Sequence, residues 1–173
     1  AGYNIITKQN VGNAEVNGFE FSYKQDLYFL PGLGRNLQAH FNYTELRLKG
    51  ANTADFTGYT PRTLNGGVSF SRPSYSVRFN VNRKSRIRSA LQAPSAAIPA
   101  NTYNWFAPRT LVGADVEYRF SKKFSFYASA INLLDAEAIT ERYSTTTPAP
   151  DWARTIRRFK FGADFNLGIK GSF

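Results

Sequence analysis

The chain has 173 residues, with 22 Lys and Arg against 12 Asp and Glu for a net charge of +10, a single histidine and no cysteine. That length is enough for one ordinary domain; the missing cysteine excludes thiolate metal sites, a cysteine nucleophile and disulfides, and the lone His40 excludes His-based triads and multi-histidine metal sites. Aromatics at 16%, with 15 Phe and 10 Tyr, favour strands; no stretch approaches the roughly 18 to 20 apolar residues of a transmembrane helix, although alternating barrel strands escape any hydropathy window.

Tyr3, Ile5 and Thr7 read as the end of a first strand, so the chain is expected to be a piece of a longer one. After a turn through Asn10, Gly12 and Asn13, residues 16–27 set Phe19, Phe21, Tyr23 and Leu27 against Glu20, Ser22, Lys24 and Asp26, a period of two that predicts a strand. Pro31 and Gly32 mark a turn, beyond which Leu37, Ala39, Phe41 and Tyr43 oppose Gln38, His40, Asn42 and Thr44. A polar connection over 45–62 precedes Leu64, Gly66, Val68 and Phe70; a tight turn at 71–74 then leads to Tyr75, Val77, Phe79 and Val81. Residues 83–108, rich in Ser, Ala, Pro and Arg, show no sustained period and read as a long loop. Val112, Ala114, Val116, Tyr118 and Phe120 resume the pattern, and a turn at 121–123 leads to Phe124, Phe126, Ala128 and Ala130. A third long connection covers 135–154. Residues 157–173 read as one final strand whose apolar face runs from Phe159 through Phe161, Ala163, Phe165, Leu167, Ile169 and Gly171 to Phe173.

Short connections (near Pro31, Pro73 and Lys122) alternate with long ones (near Ala51, Ser95 and Thr146), the rhythm of an up-and-down barrel with short turns on one side of a membrane and long loops on the other. The charged residues within these strands, Glu20, Lys24, Asp26, Arg78, Asp115, Glu117, Arg119, Lys160, Asp164 and Lys170, all carry the parity of the polar face. A Lys or Arg facing lipid at mid-membrane costs about 2–4 kcal/mol, so an apolar face free of charge is expected if lipid covers it. A soluble sandwich would alternate in the same way with its apolar face inward.

Two basic clusters stand at the bases of long loops: Arg83, Lys84, Arg86 and Arg88, then Arg154, Arg157 and Arg158. Guanidinium groups there suit lipid phosphates or an anionic ligand, and solvated charge is the plain alternative. Nucleic acid is a poorer partner, since no phosphate loop or RNA-binding aromatic motif accompanies them. Aromatics gather at expected strand ends, Tyr28, Phe29, Tyr118, Phe120, Phe124 and Phe173 on one side and Tyr59, Tyr103, Trp105, Phe106 and Tyr143 on the other, as in the two girdles of a membrane barrel. Asp115 and Glu117 have the spacing of paired carboxylates, but Arg119 on the same face favours a neutralised ladder. No catalytic constellation emerges, and the reading is of a protein that is not an enzyme and carries no cofactor or metal.

The stretch 12–20 (Gly-Asn-Ala-Glu-Val-Asn-Gly-Phe-Glu), Leu30-Pro31-Gly32, residues 61–65 (Pro-Arg-Thr-Leu-Asn), residues 130–135 (Ala-Ile-Asn-Leu-Leu-Asp) and the terminal Phe173 follow one another in an order that resembles the C-terminal part of the barrel of TonB-dependent outer-membrane receptors. Over its whole length, 1–173, the chain is similar to that barrel domain. The resemblance implies an all-β, antiparallel, up-and-down transmembrane barrel of about 22 strands, of which about eight C-terminal ones are here, with the plug domain outside this chain. It also implies a receptor that binds a ferric siderophore, cobalamin or an oligosaccharide outside the bacterial outer membrane and imports it with energy relayed by TonB. Its partners would be the rest of the barrel and plug, TonB, outer-membrane lipid and the barrel-assembly machinery, for which Asn166, Gly168 and Phe173 resemble the recognition signal; Gly171 departs from that pattern, where a large apolar residue is usual. A different reading, a complete small eight-stranded barrel with a structural or adhesion role, requires the segment near Tyr3 to pair with the final strand.

Overall fold

The computed structural model describes residues 14–50, 56–147 and 149–171. Among them eleven strands form two antiparallel sheets. The larger sheet has the order β1 (Ala14–Asp26), β2 (Leu37–Gly50), β3 (Arg62–Arg72), β4 (Tyr75–Lys84), β7 (Arg109–Arg119), β8 (Phe124–Ile131) and β11 (Asp164–Gly171). The smaller has the order β10 (Thr155–Phe159), β9 (Ala138–Ser144), β6 (Thr102–Phe106) and β5 (Ile87–Leu91). Among the described residues the one α-helix, α1 (Asp151–Arg154), has four residues, a short 3-10 turn covers Gly34–Asn36, and no helix is long and apolar enough to cross a membrane.

The registers keep the predicted apolar residues together across the larger sheet. Ala39 faces Val68, Val68 faces Phe79, Phe79 faces Ala114, Ala114 faces Ala130 and Ala130 faces Phe165. Because side chains alternate with a strict period of two, one register slip would send a whole strand's apolar set to the other side, and no slip occurs. The polar residues form their own surface: Ser22 donates to Asn42, Gln38 to Asp26, Asn80 to Asp115, and Lys170 pairs with Glu117 at 3.1 Å. Close packing on this surface needs two glycines. A Cβ on Gly67 would meet the Phe79 carbonyl and the His40 ring, and one on Gly168 would meet the Tyr127 ring at 2.5–2.6 Å.

Several expectations are corrected. The larger sheet holds seven strands rather than about eight and is open among the described residues, with β1 and β11 as its edges, so the closed small barrel of the alternative reading is not seen among them. The final strand is not continuous: β10 and β11 lie in different sheets, separated by residues 160–163, where Gly162 takes φ +75°. The long connections are not structureless, since they contain β5, β6, β9 and α1. The apolar face is not free of charge at its ends, because β2 and β3 run further than the alternation suggested. Beyond Thr44 the two faces exchange character: Glu15, Glu45, Arg47 and Lys49 continue the parity of Phe19 and Phe41, and Val16, Leu46 and Leu48 continue that of Glu20. Arg62, Arg72 and Arg83 also have apolar-face parity, at strand ends. The expected first strand near Tyr3 lies outside the described residues.

Each strand of the smaller sheet continues one of the larger sheet in the same lateral order: β5 follows β4, β6 precedes β7, β9 follows β8 and β10 precedes β11. The interruptions have local causes. Pro108 has no amide to offer a ladder, and Asn132, Asp135 and Gly162 adopt positive φ. Asn132, 5% exposed, ties two interruptions together: its Oδ1 accepts from the Ala136 amide at 2.8 Å and its Nδ2 donates to the Gly162 carbonyl at 2.8 Å. Lys160 pairs with Asp135 at 2.9 Å across the same gap, and that hydrogen bond, reinforced by the carboxylate charge, raises the lysine pKa.

Asn132→Ala leaves the Ala136 amide and the Gly162 carbonyl unpaired, and is expected to cost about 1–3 kcal/mol in denaturant unfolding and to speed hydrogen exchange at Ala136; unchanged exchange there would refute the tie. A raised lysine pKa stabilises the fold below the ordinary lysine value and loses that contribution as pH climbs through the raised one. The stability gap between the native chain and Lys160→Met is therefore expected to close across the alkaline range above 10.5, measured by unfolding at a series of pH values.

Candidate functional site

The densest grouping of charged and aromatic side chains lies in the smaller sheet. Register sets Arg88 opposite Trp105, Trp105 opposite Glu141 and Tyr103 opposite Tyr143, so these five side chains share one face. The Trp105 and Tyr143 rings stack at 5.0 Å and 6°, and Tyr103 meets Trp105 edge-on at 6.3 Å. Tyr103, at 9% exposure, is the one buried apolar side chain among the described residues. Three guanidiniums cover these rings: Arg88 lies 4.8 Å from the Tyr103 centroid, and Arg154 at 4.8 Å and Arg86 at 5.8 Å from that of Tyr143. Such contacts contribute about 0.5–2 kcal/mol each, more where water is excluded.

Arg86 is also held by Glu141 at 3.0 Å and donates to the Tyr143 hydroxyl at 3.3 Å. Arg154 pairs with Asp151 at 2.5 Å and donates to the Ala149 carbonyl at 2.8 Å. Three arginines against Glu141 and Asp151 leave a charge of +1. Arg86 Nε and Trp105 Nε1 are buried without a hydrogen-bond acceptor. A buried unpaired donor costs about 1–3 kcal/mol. The arrangement therefore suits binding by stacking and charge-assisted hydrogen bonds.

The structure sorts the seven basic candidates. It gathers Arg86, Arg88 and Arg154 and leaves the others apart. Arg83 is exposed at the end of β4 with apolar-face parity, and Lys84 lies on the polar face opposite Thr63 and Arg109. Arg158 pairs with Glu137 at 3.3 Å, and Arg157 lies 5.5 Å over the Phe159 ring. Of the proposed assembly-signal residues, Asn166 faces Ser129 and Gly168 makes room for Tyr127, whereas Phe173 lies outside the described residues. Tyr103, Trp105 and Tyr143 leave the expected girdle, since they pack on one another rather than ending an apolar face. Their grouping with Glu141 had one sequence signal, the aromatic alternation at Tyr103 and Trp105 inside a supposed loop. Of the paired carboxylates considered above, Glu117 meets Lys170 at 3.1 Å and Arg119 at 3.7 Å, and Asp115 lies opposite Arg78 and accepts from Asn80. Among the described residues no group of three or more His, Asp or Glu side chains could hold a metal ion.

No protein-family profile matches this sequence, and comparisons with curated proteins and with solved structures give no match either.

Trp105→Phe keeps the stack and removes the buried unpaired donor, so it is expected to change stability by no more than about 1 kcal/mol. Tyr143→Ala removes the ring shared by Trp105, Arg86 and Arg154 and is expected to cost about 2–4 kcal/mol. Urea unfolding followed by far-ultraviolet circular dichroism separates the two; equal losses would show that the Trp105 donor has a partner.

Proposed function

We propose that this chain is the C-terminal part of the barrel of a TonB-dependent outer-membrane receptor, which binds a ligand outside the cell and passes it inward, and that it has no catalytic role. The observation that carries the reading is the exposed apolar face of the larger sheet. Phe19, Phe79, Phe165, Leu167 and Ile169 each keep more than half of their surface exposed, and exposed apolar patches beyond a few hundred Å2 mark an interaction surface or a membrane contact. On β3, only Leu64, Gly66, Val68 and Phe70 lie on that face between Arg62 and Arg72. Ten residues at about 3.3 Å each cover about 33 Å along the strand; tilted by the 35–45° of outer-membrane barrels, they cross roughly 25 Å, the depth of the apolar band in such proteins.

In this reading the polar face, with Glu20, His40, Arg78, Asp115 and Lys170, lines the lumen, and the rest of the barrel supplies strands to the edges of β1 and β11. Trp105 has the parity of Asp115, and Arg86 and Arg88 that of Arg78, so the arginine and aromatic cluster belongs to the lumen side of the long-loop end. A ferric siderophore, cobalamin or an oligosaccharide all carry acceptor oxygens beside apolar or planar surface, as the cluster requires. Plug and TonB contact would come from other parts of the receptor.

Phe165→Arg is expected to block stable membrane assembly and Asn166→Arg to leave it intact, because only the first puts a charge on the apolar face. Detergent extraction and heat-modifiable electrophoresis of the two variants read the outcome, and equal damage from both would refute the assignment of the faces.

A further inference from the structure

At the long-loop end of the apolar face the charge is concentrated and incompletely paired. Four cations, Arg47, Lys49, Arg62 and Arg83, stand on that face against two carboxylates, Glu15 and Glu45, an excess of two positive charges (4 − 2). Glu45 is shared by Arg47 at 3.1 Å and Arg62 at 3.4 Å and so has little to offer a third cation. Among the described residues nothing pairs with the Arg83 guanidinium, whose strand neighbours on the same face are the apolar Val81 and Leu64 and, on β7, Thr110.

Arg62 and Arg83 sit diagonally on adjacent strands, since Leu64 is opposite Arg83; side chains in that relation start about 7–8 Å apart and can close on one group. Between them opens a depression of about 220 Å3, lined by Tyr43, Arg62, Thr63, Leu64, Arg83, Ser85 and Pro108. Apolar Leu64 and Pro108 line it beside two guanidiniums and the hydroxyl-bearing Tyr43, Thr63 and Ser85, and the apolar face continues from it with Gly66, Val68 and Phe79. An unpaired cation at the edge of an apolar band needs an anion that itself sits at that depth.

We propose that Arg62 and Arg83 form a binding site for the phosphate of a lipid headgroup in the leaflet at the long-loop end, with the acyl chains lying along Val81, Val68 and Phe79. Arginine suits this because its planar fork takes two phosphate oxygens at once. The site is separate from the arginine and aromatic cluster, whose residues have the opposite parity. It rests on the membrane reading of the apolar face.

The test is native mass spectrometry of the full chain in a neutral detergent, titrated with phosphatidic acid, with phosphatidylcholine and with inorganic phosphate. A phosphatidic acid adduct is expected, weakened at least about fivefold in Arg83→Gln, partly retained in Arg83→Lys, and unchanged in Arg72→Gln at the opposite edge of the band. An adduct indifferent to Arg83, or equally strong with inorganic phosphate, overturns the lipid site while leaving the membrane reading in place. A chain that stays folded and monodisperse without detergent overturns the membrane reading, and the lipid site with it.

Discussion

The structure depends on a backbone hydrogen-bond ladder that carries an apolar surface and has almost nothing packed on it. Ordering a residue costs about 1–2 kcal/mol of backbone entropy, and a typical intramolecular hydrogen bond returns about 0.5–1.5 kcal/mol. Seven strands held by ladder bonds are therefore close to balance, and the favourable term must come from covering the apolar face. Exposed Phe165, Leu167 and Ile169 at one edge and Phe19 and Tyr23 at the other show that nothing within the described chain provides this cover. The proposed lipid environment supplies it on one face and the unpaired edges of β1 and β11 call for neighbouring strands.

The same constraint explains where charge is tolerated. Among the described residues, cations on the apolar face of the larger sheet occur only at the two ends of the band, Arg72 beside the short turns and Arg47, Lys49, Arg62 and Arg83 beside the long connections. The first hairpin goes further and exchanges the character of its two faces above Thr44. Such an exchange is hard to reconcile with a sandwich core, where one face stays dry along its whole length, and it fits a surface that leaves an apolar layer and enters water.

Above that level the strands break together and resume as a second sheet. Pro108, Gly162 and the positive-φ residues Asn132 and Asp135 make each break locally permissible. Asn132 and the Lys160 to Asp135 pair then hold the β8–β9 and β10–β11 junctions to one another. This second sheet brings Arg86, Arg88 and Arg154 onto the Tyr103, Trp105 and Tyr143 rings, although the three arginines come from two loops about 65 residues apart in sequence.

By itself the sequence determined the antiparallel strands of the larger sheet and the facing of nearly every residue in them, because period two is imposed by backbone geometry and a register slip would bury charge or expose it to the wrong side. Phe79 and Arg78, or Phe165 and Asn166, could be assigned to opposite faces from their neighbours alone. Tertiary structure decided what depends on pairing partners: the break at Gly162 inside an apparently continuous alternation, the strands within 83–108 and 135–154, and the open edges. Strands β5, β6, β9 and β10 are only five to seven residues long, too short for a periodic signal to stand out, and they exist because each has a neighbour to bond. For the same reason Glu141 and Tyr143 join Arg86 only in the folded chain, where the register of β6 on β9 sets one side chain beside another.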